Sequence, residues 1–446
     1  MVALSGDPLA EYIQGGGDTG WYLANGEGLL NGDDQGVSRF GIPYLISQMP
    51  TPPLYLVFVG VFQKIAAPEN AIVLICITQA LLGMLTACAA SRIAWRLTDS
   101  KWGALLTLIA LTFDPAQILE PRNITTETLY TVLITCGLWL YIEYVGTSHG
   151  VSANTPPPDV VTPLAVFNAP LHMERGWGEV VLVGILLGLA TLTRAVGILF
   201  PLVLVCHFFW IHRKHGRNAL KTSVVLLLVY TATIGTWTVY NLAQHDRFVI
   251  VSNQFMPAVW RGAVTDDGSP QQNDALLLPT PDATNTCTEN CGVQVPNSTY
   301  VEQTSNAIST NPLGYLANRL RELANAIVLP YATTYLGGES LRDLLSAWVQ
   351  NGFSGGGLTR LLNGDEFWLK LLIYLWQFTG YALAIVGAWR TRYNFRVMGV
   401  PLAFIVYTLA IHVILLALPR YIFPILPCCW ILASGILASR KTSEVG

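Results

Sequence analysis

The chain has 446 residues, of which 12% are charged and 52% hydrophobic, and its formal net charge is −3. Soluble domains carry about 25% charged residues, so most of the helical surface here must face lipid rather than water. The small net charge and the lack of a basic stripe exclude nucleic acid as a partner.

Residues 1–50 are polar and Gly-rich and read as an exported loop, with the stretch GGGDTGWYLANGEGLLNGDDQG at its centre. The apolar run from Pro53 to Gln63 is too short to span a bilayer and is expected to lie in the interface as an amphipathic or re-entrant helix. Spans of roughly 20 apolar residues follow at 71–91, 128–146, 222–242, 371–389, 397–418 and 421–439. Residues 103–113 run into Asp114-Pro115 and read as a short span that leaves the membrane there. The stretch 180–211 is interrupted by Arg194 and reads as one long helix or two short spans.

Lys and Arg cluster at Arg92, Arg96 and Lys101; at Arg213, Lys214, Arg217 and Lys221; at Arg390, Arg392 and Arg396; and at Arg440 with Lys441. All four clusters share the cytoplasmic side only if 180–211 crosses twice, which selects the two-span reading. An all-α polytopic membrane protein of nine spans results. It has a first exported loop with an interfacial helix at 1–69 and a transmembrane bundle at 70–242 containing a Pro-rich cytoplasmic linker at 147–178. An exported region at 243–365 and C-terminal spans with a cytoplasmic tail at 366–446 complete it. An exported N-terminus without a signal peptide implies a further span upstream, ten in all.

Within the large exported region, Asn311-Pro312 opens a helix whose Leu313, Leu316, Leu320, Leu323 and Ile327 recur at three and four, giving a second interfacial helix. Residues 262–310 lack periodicity and are expected to form an irregular surface loop. Asn123-Ile-Thr and Asn297-Ser-Thr match the glycosylation sequon. Six cysteines (Cys76, Cys88, Cys136, Cys206, Cys428 and Cys429) sit in apolar segments as small buried residues. Cys287 and Cys291 lie in the exported region with only Thr-Glu-Asn between them, where an oxidising compartment lets them pair as a disulfide. A zinc pair is the rival reading, and it lacks further ligands nearby.

No phosphate-cradling glycine loop, HExxH or GxSxG is present, so neither a sugar nucleotide nor ATP has a cradle. What remains is an ordered set of charged and aromatic residues where loops meet helix ends. These are Asp18-x3-Tyr22, Thr51-Pro-Pro-Leu-Tyr55, Thr126-Glu127-Thr-Leu-Tyr130, Gly188-Leu-Ala-Thr-Leu-Thr-Arg194, and His412 with Pro419-Arg420-Tyr421. Ionisable groups at membrane depth are costly and point to function.

On these pieces the chain resembles the GT-C superfamily of membrane glycosyltransferases, in the branch of dolichyl-phosphate-mannose protein mannosyltransferases and bacterial lipid A aminoarabinose transferases. The set matches in order along nearly the whole chain, including a Trp-Thr-Val-Tyr240-Asn241 stretch followed by Arg247-Phe248. It departs in lacking the family's first span and in carrying Tyr240 where an Arg usually precedes Asn241. The resemblance implies a GT-C-like helical bundle in the plasma (inner) membrane. It also implies inverting transfer of a sugar from a polyprenyl-phosphate donor to a lipid, glycan or protein acceptor in the exported space. Members differ in metal dependence, and no dense ligand cluster for a divalent metal stands out.

By the same resemblance Asp18 matches an acidic first-loop residue and is expected to be the general base, against a plain turn aspartate. Glu127 opens a span and is expected to act in catalysis or acceptor orientation, or simply to suit the helix dipole. Arg194, Arg420, Tyr421 and His412 are expected at the donor phosphate. Snorkelling arginines and a buried hydrogen-bonded histidine are the plainer readings. Tyr22 and Tyr55 are candidate substrate contacts, Tyr55 more as a loop-shaping residue. Asp33, Asp34 and Glu120 read as solvated surface acids. The competing function is a non-enzymatic flippase or transporter of polyprenyl-linked sugar, which would need a polar path across the membrane.

Overall fold

The computed structural model describes residues 17–32, 51–147, 177–213, 216–264, 297–353 and 355–438, and every regular element among them is helical. Asp33, Asp34, most of the 147–178 linker, and Cys287 with Cys291 lie outside the described residues. The long apolar runs form helices at α3 (Pro68–Thr98), α6 (Glu127–Thr147), α9 (Gly216–His245), α15 (Phe367–Thr391) and α16 (Phe395–Ile414). Among the described residues five helical runs are long and apolar enough to cross a membrane, namely Pro68–Thr98, Glu127–Gly146, Gly216–His245, Phe367–Ile414 and Pro419–Leu437, and the chain is a multi-pass membrane protein.

The unbroken run Phe367–Ile414 contains 48 residues. At 1.5 Å per residue that is about twice a bilayer. Glycine contacts show how it folds. Gly380 lies against Trp430 and Gly387 against Leu432, so α15 runs parallel to α18 (Leu426–Ala433). The intervening α16 must run the other way, and the chain reverses at the 3-10 turn Arg392–Asn394.

A second reversal occurs at Arg194. Helix α7 (Trp177–Thr193) runs parallel to α9, with Gly184 against Val229 and Gly188 against Thr233. Helix α8 (Phe200–Ile211) runs antiparallel to α16, since Phe200 meets Phe404 while Trp210 meets Phe395. Residues 194–199 are therefore the apex of a hairpin, as the basic clusters require. Backbone groups freed by such a break need partners where water is scarce. Tyr230 donates to the Ile198 carbonyl at 2.9 Å, and the Tyr407 hydroxyl donates to Val196 and accepts from the Leu199 N–H.

These directions sort the molecule into two ends. At the basic end, Asn394 donates to the Leu97 carbonyl and Arg96 pairs with Glu143. At the other end, here the site end, lie the starts of α6 and α18, the α7–α8 apex and the end of α16. Helix α4 (Lys101–Thr112) returns toward the site end and bends 48° into a short tail, α5 (Pro115–Leu119) with the 3-10 turn Glu120–Arg122. Asp114 caps α5 and accepts from Trp376 and Trp430 at 3.2 Å each.

Two loop expectations are corrected. The Gly-rich stretch around Asp18 is a helix, α1 (Gly17–Asn31), and it packs on α2 (Pro53–Ile65). Four glycines and no amphipathic stripe hide it from sequence, because glycine disfavours isolated helix. The glycines act at the crossing: a Cβ on Gly60 would sit 2.3 Å from the Gly26 carbonyl oxygen. Helix α2 packs closely on α1 and buries Tyr55, Leu56, Val59 and Gln63. We expect Gly60→Ala to force the two helices apart and cost about 1–3 kcal/mol, read as a lower midpoint of thermal unfolding in detergent. An unchanged midpoint would mean that the helix pair accommodates a methyl at its crossing.

The second correction concerns 262–310, where α10 (Phe255–Val264) and α11 (Asn297–Thr310) are helical. Beyond them lie α12 (Pro312–Val328), α13 (Leu341–Gln350) and α14 (Gly355–Leu362). Helix α12 is inverted relative to a soluble amphipathic helix: Leu313, Leu316 and Leu320 are exposed while Arg319 and Glu322 are buried. An outward leucine stripe suits the membrane surface expected for it.

Candidate functional site

Side chains from five distant segments converge at the site end. Asp18 occupies the first turn of α1, where an acid suits the helix dipole. Its carboxylate accepts from Nη1 of Arg420, which opens the short helix α17 (Pro419–Ile422) behind Pro419. Glu127 opens α6 and accepts from Nη1 of Arg194 at 2.7 Å, with a further bond from Thr126. Arg194 is the residue at the hairpin apex between α7 and α8.

Tyr421 joins the two pairs. The Arg194 guanidinium carbon lies 4.8 Å from its ring centre and that of Arg420 lies 5.2 Å away. Arg194 also faces Tyr130 at 5.9 Å. Stacking of this kind orients guanidinium planes, which a lysine could not reproduce. Glu127 interacts electrostatically with both arginines, and Tyr22 with Asp18, Glu127, Arg194 and Arg420, so all five groups share one small volume. Burial, reinforced by Asp18, pushes the Tyr22 hydroxyl well above the ordinary phenol range, so it stays a neutral donor.

The two carboxylates differ in access. The Asp18 side chain is 46% exposed and Arg420 is 30% exposed, whereas Glu127 is 3% exposed. A molecule arriving at the site therefore meets Asp18 and Arg420 first. Nε of Arg420 is itself buried and has no hydrogen-bond partner among the described residues, so the Nη edge that meets Asp18 is the part of this guanidinium open to an incoming anion.

Two expected substrate contacts are instead supports. Tyr55 is fully buried beneath Tyr22, ring centres 4.9 Å apart at 81°, and its hydroxyl donates to Gln79 at 2.8 Å. Gln79 in turn donates to the Pro121 and Asn123 carbonyls, tying the loop before Glu127 to α3. His412 is buried with Nδ1 donating to the Thr408 carbonyl at 2.7 Å, and its ring lies 5.2 Å from that of Tyr421. It reaches the site through that ring.

Glu120 corrects another expectation. Rather than a solvated acid it is fully buried, accepting from Thr125 and, at 2.5 Å, from Tyr335 on the 3-10 turn Tyr331–Tyr335. Its sequence context, between Leu119 and Pro121, was the available signal. Because hydrogen bonds to buried carboxylates are strong, Tyr335→Phe should lower unfolding stability by about 1.5–3 kcal/mol. A thermal midpoint within error of wild type would show that the bond is dispensable.

Among the described residues no three His, Cys, Asp or Glu side chains gather, and Asp18 and Glu127 are each engaged by an arginine. This donor set does not fit a divalent ion.

No protein-family model matches the chain, and no curated relative does. Two solved structures are similar to it. One is ArnT from Cupriavidus metallidurans bound to undecaprenyl phosphate, at 16% identity and TM-score 0.43, covering 97% of this chain and 56% of that one. The other is the archaeal oligosaccharyltransferase AglB from Archaeoglobus fulgidus in complex with an inhibitory peptide and a dolichol phosphate. It shows 12% identity and TM-score 0.47, covering 98% of this chain and 46% of that one. This chain thus spans about half the length of the structures it matches.

Proposed function

We propose that the protein is an inverting glycosyltransferase that moves a sugar from a polyprenyl-phosphate donor to an acceptor on the extracytoplasmic face of the plasma (inner) membrane. The observation that carries this reading is the half-exposed Asp18–Arg420 pair beside the Arg194–Tyr421 stack. It sets a carboxylate base directly against a guanidinium suited to phosphate. Basic clusters at the opposite end orient the site outward by the positive-inside rule.

The chemistry follows from that pairing. A polyprenyl tail keeps the donor in the bilayer, so its phosphate meets the protein at a membrane surface. There it displaces the Asp18 carboxylate from Arg420 and takes its place on the guanidinium. Asp18, released, accepts the proton of the acceptor hydroxyl as that oxygen bonds to the anomeric carbon from the face opposite the phosphate. The carbon–oxygen bond to phosphate breaks and its electron pair stays on phosphate, where Arg420 and Arg194 stabilise the leaving charge. Glu127 holds Arg194 in place, and Tyr421 aligns both guanidinium groups.

The test is the full chain in sealed vesicles with a radiolabelled polyprenyl-phosphate sugar. Label appearing on an acceptor supports the transferase. Label crossing the bilayer without transfer identifies a carrier instead.

A further inference from the structure

We propose that Arg319 is a positioning residue that sets Arg420 for the donor phosphate, an inference that rests on the assignment of Arg420 made above. Arg319 lies on α12, outside the segments that supply the site residues, and it is 1% exposed. Its Nη2 donates to Glu322 one turn on, and its guanidinium carbon lies 5.8 Å from the Tyr315 ring centre. The remaining contact leaves the helix: Nη1 donates to the Leu415 carbonyl at 3.2 Å.

Leu415 is where α16 ends. Its ψ of −118° has left the helical region, and the chain then has no regular structure through Leu418, which is extended, before Pro419 and Arg420 begin α17. Four residues without a helical ladder thus carry the guanidinium that meets phosphate, and a short irregular segment keeps its direction only if outside groups hold it. Arg319 supplies that hold from α12, which also packs on α17.

A second observation marks the same point. Gly262 of α10 sits against this bond: an added Cβ would lie 2.5 Å from Arg319 Nη1 and 2.6 Å from the Leu415 oxygen. Three segments therefore meet where not even a methyl group fits. Fold stability does not account for the arrangement, because Nε of Arg319 has no hydrogen-bond partner among the described residues. An incompletely bonded buried guanidinium is costly, and an apolar side chain would pack α12 more favourably. What the arginine provides is a fixed register between α12 and the 415–418 turn.

The experiment uses the full-length chain in nanodiscs, with a sugar-free polyprenyl phosphate as binding probe and thermal midpoint as the folding control. Arg319→Lys and Gly262→Ala are each made alone and combined with Arg420→Lys. Each is expected to weaken probe binding about tenfold in the native background and to have little further effect once Arg420 is Lys. In turnover, the donor KM should rise and kcat should fall with it, because Arg420 both binds the phosphate and carries its leaving charge, and neither should change much further once Arg420 is Lys. Gly262→Ala leaves the arginine intact, so it decides the matter if Arg319→Lys does not fold. If Arg420→Lys weakens binding but the Arg319 and Gly262 variants do not, or if the effects multiply independently, this inference alone is overturned. If Arg420→Lys leaves binding unchanged, the donor assignment falls and takes this inference with it.

Discussion

Asp18→Asn is expected to fold, insert and bind donor, yet to lose transfer by roughly 10²–10⁴-fold, the range contributed by a positioned general base. An acceptor hydroxyl attacks slowly unless its proton is removed as the new bond forms, and an amide cannot take that proton. The structure adds a second expected signature. In the native protein the Asp18 carboxylate occupies Arg420, so a donor phosphate must compete with it. The asparagine variant removes that competitor. Its donor KM should therefore fall or hold while kcat collapses, a split that a general loss of structure would not produce. Glu127→Gln should behave differently. It weakens the 2.7 Å bond holding Arg194 and should raise the donor KM. Near-native turnover in Asp18→Asn together with an inactive Glu127→Gln would move the base to Glu127, despite its burial.

Arg420→Lys is expected to weaken donor binding about 10–100-fold, as loss of one or two charge-assisted hydrogen bonds would. A lysine keeps the charge and can still meet Asp18. It cannot offer the second donor of a planar fork, nor stack on Tyr421 at 5.2 Å as the guanidinium does. The effect should appear in donor binding more than in folding, since the native side chain is partly exposed and its Nε has no protein partner among the described residues. Titration with a polyprenyl phosphate measures it. Affinity equal to the native protein would leave Arg420 as a headgroup anchor, and the phosphate clamp would then have to be sought at Arg194.

The spans of α3, α6, α9, α15 and α16 were legible because composition alone decides which 20-residue stretches tolerate lipid. The reversal at Arg194 was legible for a related reason: basic loops had to share one side. Helix α12 was legible only in part. Its leucine period predicted a helix, but periodicity does not say which solvent faces the stripe, and the structure turns Leu313, Leu316 and Leu320 outward, packs Leu323 and Ile327 on the core, and buries Arg319 and Glu322. Helix α1 was not legible, since its stability comes from Gly26 meeting Gly60 on another helix and not from local propensity.

The same division runs through the site. Glu127, Arg194 and Arg420 stood out in the sequence as ionisable residues where apolar segments begin or break, which needs only hydropathy and spacing, whereas Asp18 was singled out as functional by its match to the first-loop acid of the resembled family. Which acid pairs with which arginine was decided by tertiary structure, because Asp18 and Arg420 stand 402 residues apart and Glu127 and Arg194 stand 67 apart. Burial was decided there as well: Glu120, read as solvated, is enclosed by Thr125 and Tyr335, and Tyr55 is sealed beneath Tyr22. Hydropathy is a property of local composition, whereas enclosure of a single side chain depends on neighbours that the chain brings in from far along its length.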